Sequence, residues 1–237
     1  LRLSIFALIF AVTASIAFAQ DESVMDLNTR ALELGRQGRY SEAVAAARKS
    51  LAQSKKIFGL YNDKVSSSLK TLAELYESQG KFTKAEGILK RIIAVKTLSI
   101  EDKITGENYE EIAQAMRDLA RFYKDRKRYS KAEKILSRTV AMEKRMRGEN
   151  YPKKTQDLAL SIAILEGEKK YPDAEPLYNK LLDDFDKTEA KNDDVIGALG
   201  NLARIYTAQK RYSEAEPLLK RAIEISQKIH GPDNKTL

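Results

Sequence analysis

The groups able to do chemistry are few and scattered. The chain of 237 residues carries one histidine and no cysteine. His230 stands at what reads as the end of a helix, where an imidazolium interacts favourably with the helix C-terminus. Acid–base or metal chemistry needs converging groups, and His230 has no partner spaced to join it. Two acid pairs, Asp183-Asp184 and Asp193-Asp194, fall in stretches that read as a solvated linker. No glycine-rich phosphate loop, metal-ligand cluster or nucleophile elbow occurs. The sequence therefore predicts no catalytic residue, no metal and no cofactor. One set of charges is patterned: Arg117, Arg121 and Lys124 are spaced four and three apart, hence on one face of a helix. Guanidinium groups so placed can pair bidentately with ligand carboxylates. The plain alternative is a solvated helical face.

The elements that must position such groups are read from a repeat. A Tyr/Phe-x-x-Ala step recurs as Tyr40…Ala43, Phe82…Ala85, Tyr129…Ala132, Tyr171…Ala174 and Tyr212…Ala215, at intervals of 42, 47, 42 and 41 residues. Around each step, apolar residues follow helical spacing, as at Leu199, Leu202, Ala203 and Tyr206 and again at Ala215, Leu218, Leu219 and Ala222. Each unit is thus a pair of amphipathic helices joined by a short turn. Such a hairpin cannot bury its own apolar face, and a fixed period of this size means stacked hairpins. Repeats are placed at about 26–61, 63–98, 108–148, 151–186 and 195–231. Thr83…Glu86, Ser130…Glu133 and Ser213…Glu216 read as capping boxes for the second helices. Gly106, Gly148 and Gly231 read as punctuation after second helices. Pro176 and Pro217 are placed near the first turn of theirs. The longer connection Ser99–Gly106 reads as a tolerated insertion. In the fourth repeat Leu160, Ser161 and Ile162 replace the Asn201, Leu202 and Ala203 of the fifth, so a wider or shifted hairpin is expected there.

The amino end differs. Arg2 precedes an apolar run, Leu3 to Phe18, closed by Ala17-Phe18-Ala19. This is the pattern of a secretory signal peptide over 1–19, followed by a short lead-in, 20–25, and a repeat domain, 26–237. The protein is expected to be exported, periplasmic or secreted, with its mature end at Gln20. The alternative is a membrane tether by an uncleaved segment; after cleavage no integral span is expected. Without cysteine, an exported chain must rest on its apolar core. Formal charge is +8, but Lys and Arg are interleaved with Asp and Glu instead of clustered. That opposes nucleic-acid binding, which wants a basic stripe with base-reading side chains.

Leu72-Ala73…Tyr76…Ala85, Leu119-Ala120…Tyr123…Ala132 and Leu202-Ala203…Tyr206…Ala215 resemble the tetratricopeptide repeat. The period near 42 and the Gly231-Pro-Asp linker are similar to its long, kinesin-light-chain-like subgroup. The resemblance implies an all-α, right-handed superhelical solenoid of about five hairpins whose first helices line a concave groove for peptides. In that subgroup Asn side chains on the first helix hold peptide backbone. Only Asn201 matches; Thr29, Thr71, Asp118 and Leu160 occupy the corresponding places. The groove side is expected to carry Lys70, Glu74 and Glu77, then Arg117, Arg121 and Lys124, then Ala159, Ala163 and Glu166, then Asn201 and Arg204. The expected function is a protein- or peptide-binding scaffold, with a partner segment that carries acidic residues beside an apolar one. The alternative is a structural or interaction module of a larger secreted or envelope assembly.

Overall fold

The computed structural model describes residues 23–60, 62–98, 106–147, 155–187 and 192–230. The expected signal segment, residues 99–105 of the longer connection, and the Gly148 and Gly231 motifs lie outside the described residues. Among those described there is no strand. Ten helices follow in order: α1 (23–36), α2 (Tyr40–Phe58), α3 (Asp63–Ser78), α4 (Phe82–Leu98), α5 (Gly106–Asp125), α6 (Tyr129–Arg147), α7 (Thr155–Gly167), α8 (Tyr171–Asp186), α9 (Asn192–Ala208) and α10 (Tyr212–His230). Gly106 opens α5 instead of closing α4.

Three residues join the helices of each hairpin, and all five turns share one backbone solution. The middle residue is left-handed: Gly38 (φ 75°), Gly80 (φ 68°), Lys127 (φ 56°), Lys169 (φ 60°) and Lys210 (φ 61°). The next amide donates five residues back, as Lys81 N–H to Tyr76 O and Arg211 N–H to Tyr206 O, both at 2.8 Å. This is a Schellman closure, which satisfies carbonyls the helix end would leave bare. The second helix starts at once, so Phe82, Tyr129 and Tyr212 are already its first residues. Thr83, Ser130 and Ser213 therefore lie inside the helices at the second position, and the expected capping boxes do not form. For α2, the residue before the helix, Arg39, makes no side-chain cap; it clasps Glu42 instead, Nε to Oε1 at 2.8 Å. Arg211 holds Glu214 the same way at 2.7 Å. Pro176 and Pro217 sit a full turn into α8 and α10, past the first turn expected for them.

The chain divides into two compact units, 1–119 and 120–237. In the first, α2 packs on α3 and α3 on α4. Ala31, Ala43, Ala47, Leu69, Leu72 and Ala85 are buried there, the small residues letting helices approach and the leucines filling the space between. Beside this apolar packing lies a hydroxyl cluster. Ser50, Ser54 and Ser68 are each fully buried. The Oγ of Ser68 is 2.9 Å from that of Ser50 and 3.0 Å from that of Ser54. The carbonyls of Val24, Ser50 and Lys64 lie within reach of the same three hydroxyls, whose single protons are shared between the carbonyls and the oxygen–oxygen contacts, so helices α1, α2 and α3 meet on polar oxygen. On the surface, Lys96 of α4 reaches Asp63 of α3 and Glu111 of α5 at 3.2 and 2.7 Å.

In the second unit, α6 packs on α7, α7 on α8, α8 on α9 and α9 on α10. One core joins α7 to α10, with Leu158, Leu199, Leu202 and Ile205 fully buried. Each such side chain contributes roughly 1.5–3 kcal/mol when taken out of water. Ala203 is 1 % exposed, as is Ala73 in the first unit, and Ala120 is fully buried. The alanines of the Tyr/Phe-x-x-Ala steps are all buried.

Candidate functional site

Helix α7 sets the geometry of the second unit. Its run Leu158-Ala-Leu-Ser-Ile-Ala-Ile-Leu165 is apolar around the whole circumference. Leu158, Leu160, Ile162 and Ile164 are all buried, and Ser161 turns its Oγ back to the carbonyl of Asp157 at 2.7 Å. A helix of this kind has no polar face to give to water. It presents apolar surface on two sides, and a concavity flanks each.

The larger, about 620 Å³, lies between α7 and α9 with α8 as its floor. Ala159, Ile162 and Ala163 line it from α7, and Gly197, Ala198 and Asn201 from α9. Tyr178, Leu181 and Phe185 rise from α8. One end is polar: Arg204 Nη2 donates to Glu166 Oε1 at 2.7 Å. The Tyr178 hydroxyl lies among Glu166, Asn201 and Arg204. Burial pushes its phenol far up, and the Glu166 carboxylate pushes it further, so it stays a neutral donor. The other end carries Thr155, Gln156, Asp193 and Asp194. The smaller concavity, about 430 Å³, is on the opposite side of α7, where Ile164 and Leu165 face Leu136 and Val140 of α6 and Leu177 of α8.

Of the residues expected on the groove side, Ala159, Ala163, Glu166 and Asn201 are brought together in this one concavity, with Arg204 paired to Glu166 at its edge. Lys70 and Glu74 are exposed one turn apart on α3, in the first unit. Arg121 is exposed and Lys124 is half-buried, its Nζ 2.7 Å from Asp125; neither lines the concavity. Arg117 departs from expectation. It is 1 % exposed and its Nη1 lies 3.4 Å from Glu110 Oε1 two turns back. A spacing of four and three puts three side chains within one arc of the helix, but α5 buries most of its circumference, and Arg117 falls on the buried part. Of the positions matched to Asn201, Thr71 and Leu160 are buried, Asp118 accepts from Gln114 at 3.0 Å, and Thr29 is exposed.

Sequence reading missed Tyr178 and Phe185, whose spacing on α8 marks them only as core. It also misplaced the acid pairs. Asp193 and Asp194 form the first turn of α9, and Asp183 and Asp184 belong to α8. Val195-Ile196 following directly on Asp193-Asp194 was the available signal, since acidic residues gather in first turns. His230 is the last residue of α10. Among the described residues no group of three or more His, Asp or Glu could hold a metal ion. Nor is any described helix long and apolar enough to cross a membrane.

Tetratricopeptide repeat models match residues 23–97, and 112–150 with 195–234. Residues 151–194, which include α7 with its uniform apolar surface, lie outside these matches. No curated protein matches the chain. Among solved structures, the nearly identical, kinesin-light-chain-type TPR-like repeats of Podosopora anserina superpose with a TM-score of 0.65 at 18 % identity, over 88 % of this chain and 97 % of that one. BtubC (BKLC) from P. vanneervenii gives 0.67 at 16 % identity, over 93 % of each chain. MamA from Desulfovibrio magneticus RS-1 gives 0.57 at 13 %, over 91 % of this chain and 98 % of that one. At such identities these likenesses speak for the fold alone. The paired helices with a shared left-handed turn, the buried alanines at each step and the family matches carry one conclusion: the chain belongs to the tetratricopeptide repeat family, with the fold of its kinesin-light-chain-like members.

Proposed function

We propose that this protein is an exported scaffold that holds an extended peptide segment of a partner protein against its first helices and performs no chemistry of its own. The observation that carries the reading is the concavity between α7, α8 and α9. It has an apolar floor of small and aromatic residues, and Asn201, Tyr178, Glu166 and Arg204 are gathered at one end. An open, elongated trough with polar groups at its ends suits a chain segment better than a compact metabolite. In the first unit, Lys70 and Glu74 are exposed on α3 and offer contacts of their own. Export is supported by Arg2, the apolar run to Phe18 and the Ala17-Phe-Ala19 step.

Two measurements test this. Amino-terminal sequencing of material from the native host should find Gln20 first and the protein outside the cytoplasm; an intact leader on a membrane fraction favours the tether. Partners captured from envelope extract should then be lost by Ala159→Trp, which fills the concavity from an exposed position. Capture at unchanged affinity by a folded Ala159→Trp protein would remove the groove. A second reading, a structural module of a larger envelope assembly, is favoured by α10, which leaves Leu219, Ile223 and Ile229 exposed at 41–45 %. In that case, Ala159→Trp has no effect while Leu219→Ser with Ile223→Ser abolishes capture.

A further inference from the structure

We propose that the exposed face of α6 is a docking strip for an acidic helix of a partner protein. The strip is separate from the groove reading above, since none of the described residues of α6 lines the α7–α8–α9 concavity. Nine described residues of α6 are exposed, and five of them are cations: Lys131, Lys134, Arg138, Lys144 and Arg145. The one exposed acid, Glu133, lines the smaller concavity between α6 and α8. Among the described residues none of the five cations makes an ion pair. Lys131 lies 5.6 Å from the centre of the Tyr123 ring. Residues 148–154, which follow α6, add two lysines and one glutamate and so do not offset the charge. The fold does not require it either. The exposed faces of α8 and α10, the equivalent helices of the same unit, carry net charges of −2 and −1 against +4 on α6. That of α4 comes nearest at +3, but its Lys90 is held by Glu86 at 2.7 Å. The set also costs α6 stability. Lys131 and Lys134, and Lys134 and Arg138, are like charges three and four residues apart, which weakens a helix. At the four-residue spacing α4, α10 and the end of α8 carry Glu86–Lys90, Glu216–Lys220 and Asp183–Lys187 instead. A helix that keeps repulsion where its equivalents keep attraction holds those cations for something other than its own folding.

Spacing sets the occupant. Lys131, Lys134, Arg138 and Arg145 fall within an arc of about 60° at 3.6 residues per turn, and the last three rise about 4.5, 10.5 and 21 Å above the first. Carboxylates three, seven and fourteen residues from the first on another helix rise by the same steps. An extended chain repeats a face about every 6.7 Å and loses step by the third cation. Ser137 and Ala141 stand between the cations, short enough for a second helix to lie close. Among the described residues of α6 no large apolar side chain is exposed to enter a bilayer. Across the smaller concavity α8 is acidic on its exposed face, which repels a broad anionic plane. A single narrow acidic partner fits both observations, its carboxylates paired with the guanidinium and ammonium groups of one helix face. The basic set that the sequence places on α5, at Arg117, Arg121 and Lys124, thus has its counterpart on the next helix.

The test uses the full protein and two fluorescein-labelled, alanine-based helical peptides of one composition. In the first, four glutamates are spaced three, four and seven apart on one face; in the second they are scattered around the helix. The patterned peptide should bind at least tenfold more tightly than the scattered one, and its affinity should fall with added salt. Lys134→Gln with Arg138→Gln should lower that affinity at least tenfold. Lys220→Gln with Lys228→Gln, which removes the same charge from α10, should leave it unchanged, as should Ala159→Trp. Lys134→Glu should abolish binding yet raise the urea midpoint, because it sets an opposite charge between Lys131 and Arg138. Equal binding of the two peptides, or an equal loss in the α10 variant, means that net charge alone acts and overturns the strip. Loss of binding in Ala159→Trp puts the peptide in the trough and overturns it as well. Binding to phosphatidylglycerol vesicles that Lys134→Gln with Arg138→Gln abolishes makes a lipid surface the occupant and overturns the acidic helix. A midpoint lowered by Lys134→Glu overturns the argument from repulsion. No binding of either peptide up to millimolar concentration overturns the proposal. Circular dichroism checks that each variant is folded.

Discussion

Replacing Lys210 by glycine should stabilise the protein, against the usual direction of glycine substitutions. Lys210 holds φ at 61° in the turn between α9 and α10. Its own amide donates to Thr207 O at 3.0 Å and the next amide to Tyr206 O at 2.8 Å, so the turn cannot relax to another conformation without losing both bonds. A residue with a Cβ pays about 1–2 kcal/mol in this region. Glycine returns that cost but loses roughly 0.5–1 kcal/mol through the freedom of its unfolded chain. The net gain is about 0.5–1 kcal/mol. Lys127 and Lys169 occupy the same place in their own turns, far enough apart for the three gains to add to about 1.5–3 kcal/mol. The chain has no tryptophan, so urea unfolding is best followed by far-ultraviolet circular dichroism. Repeats unfold partly independently, and hydrogen exchange on α9 and α10 gives the local value for Lys210→Gly. Lys210→Ala is the control: it removes the same charge, beside Arg211, but keeps the Cβ. If alanine stabilises as much as glycine, the effect is electrostatic and the backbone argument is wrong. If Lys210→Gly lowers the urea midpoint, the left-handed turn itself is wrong.

Three further outcomes follow from packing and charge. Ala203→Leu should cost about 1–3 kcal/mol in urea unfolding, because Ala203 is 1 % exposed within the α7–α10 core and has no space for three more carbons. Gly167→Ala should destabilise by a similar amount, since the new Cβ would lie 2.3 Å from the Tyr129 ring. In a Tyr129→Ala background the same change should be nearly neutral, and a double-mutant cycle measures the difference. Glu175 accepts from Arg211 at 2.6 Å, and that bond holds its carboxyl below the usual range. A lowered carboxyl contributes stability that is full above the unfolded pKa, near 4.3, and lost as pH falls through the folded value. The urea midpoint of Glu175→Gln should therefore lie below that of the native protein at pH 7, and the gap should close towards pH 3.

The hairpins were legible because their signal is the size of a side chain at a fixed interval. Alanine at positions 73, 120 and 203, and at the five Tyr/Phe-x-x-Ala steps, is 3 % exposed or less. Glycine fills the left-handed position of the turn at Gly38 and Gly80. At Lys127, Lys169 and Lys210 the same conformation is imposed by the helices on either side, and the residue type gives no sign of it. The capping boxes were misread for a related reason: the turn starts the second helix directly, so a Ser or Thr two places in has no cap to make. The groove was half legible. Ala159, Ala163, Glu166 and Asn201 share it as the register implies, yet its floor comes from the intervening helix, which a reading of first helices alone does not include. Arg117 marks the remaining limit. A charged residue at groove spacing on a helix buried around most of its surface belongs to the packing, and only the extent of burial tells the two apart.

The hydroxyl cluster of Ser50, Ser54 and Ser68 bears on how α1, α2 and α3 keep their axial setting. Helices that touch through alanines and leucines can slip along one another by a turn and find nearly equivalent contacts. Oxygen atoms at 2.9 and 3.0 Å have no such freedom. A slip of one turn, about 5.4 Å, would break the bond from the Ser50 hydroxyl to the Val24 carbonyl, at a cost of about 1–3 kcal/mol, and part the three oxygens, while Ser54 and Ser68 keep their bonds to carbonyls four residues back in their own helices. The three serines thus act as a vernier for the first two hairpins, and the penalty for misalignment is concentrated in a few atoms. Valine at all three positions could retain much of the stability while removing the unique alignment. Such a protein would stay helical while its α2–α3 amide resonances broadened or doubled, the sign of helices exchanging between settings.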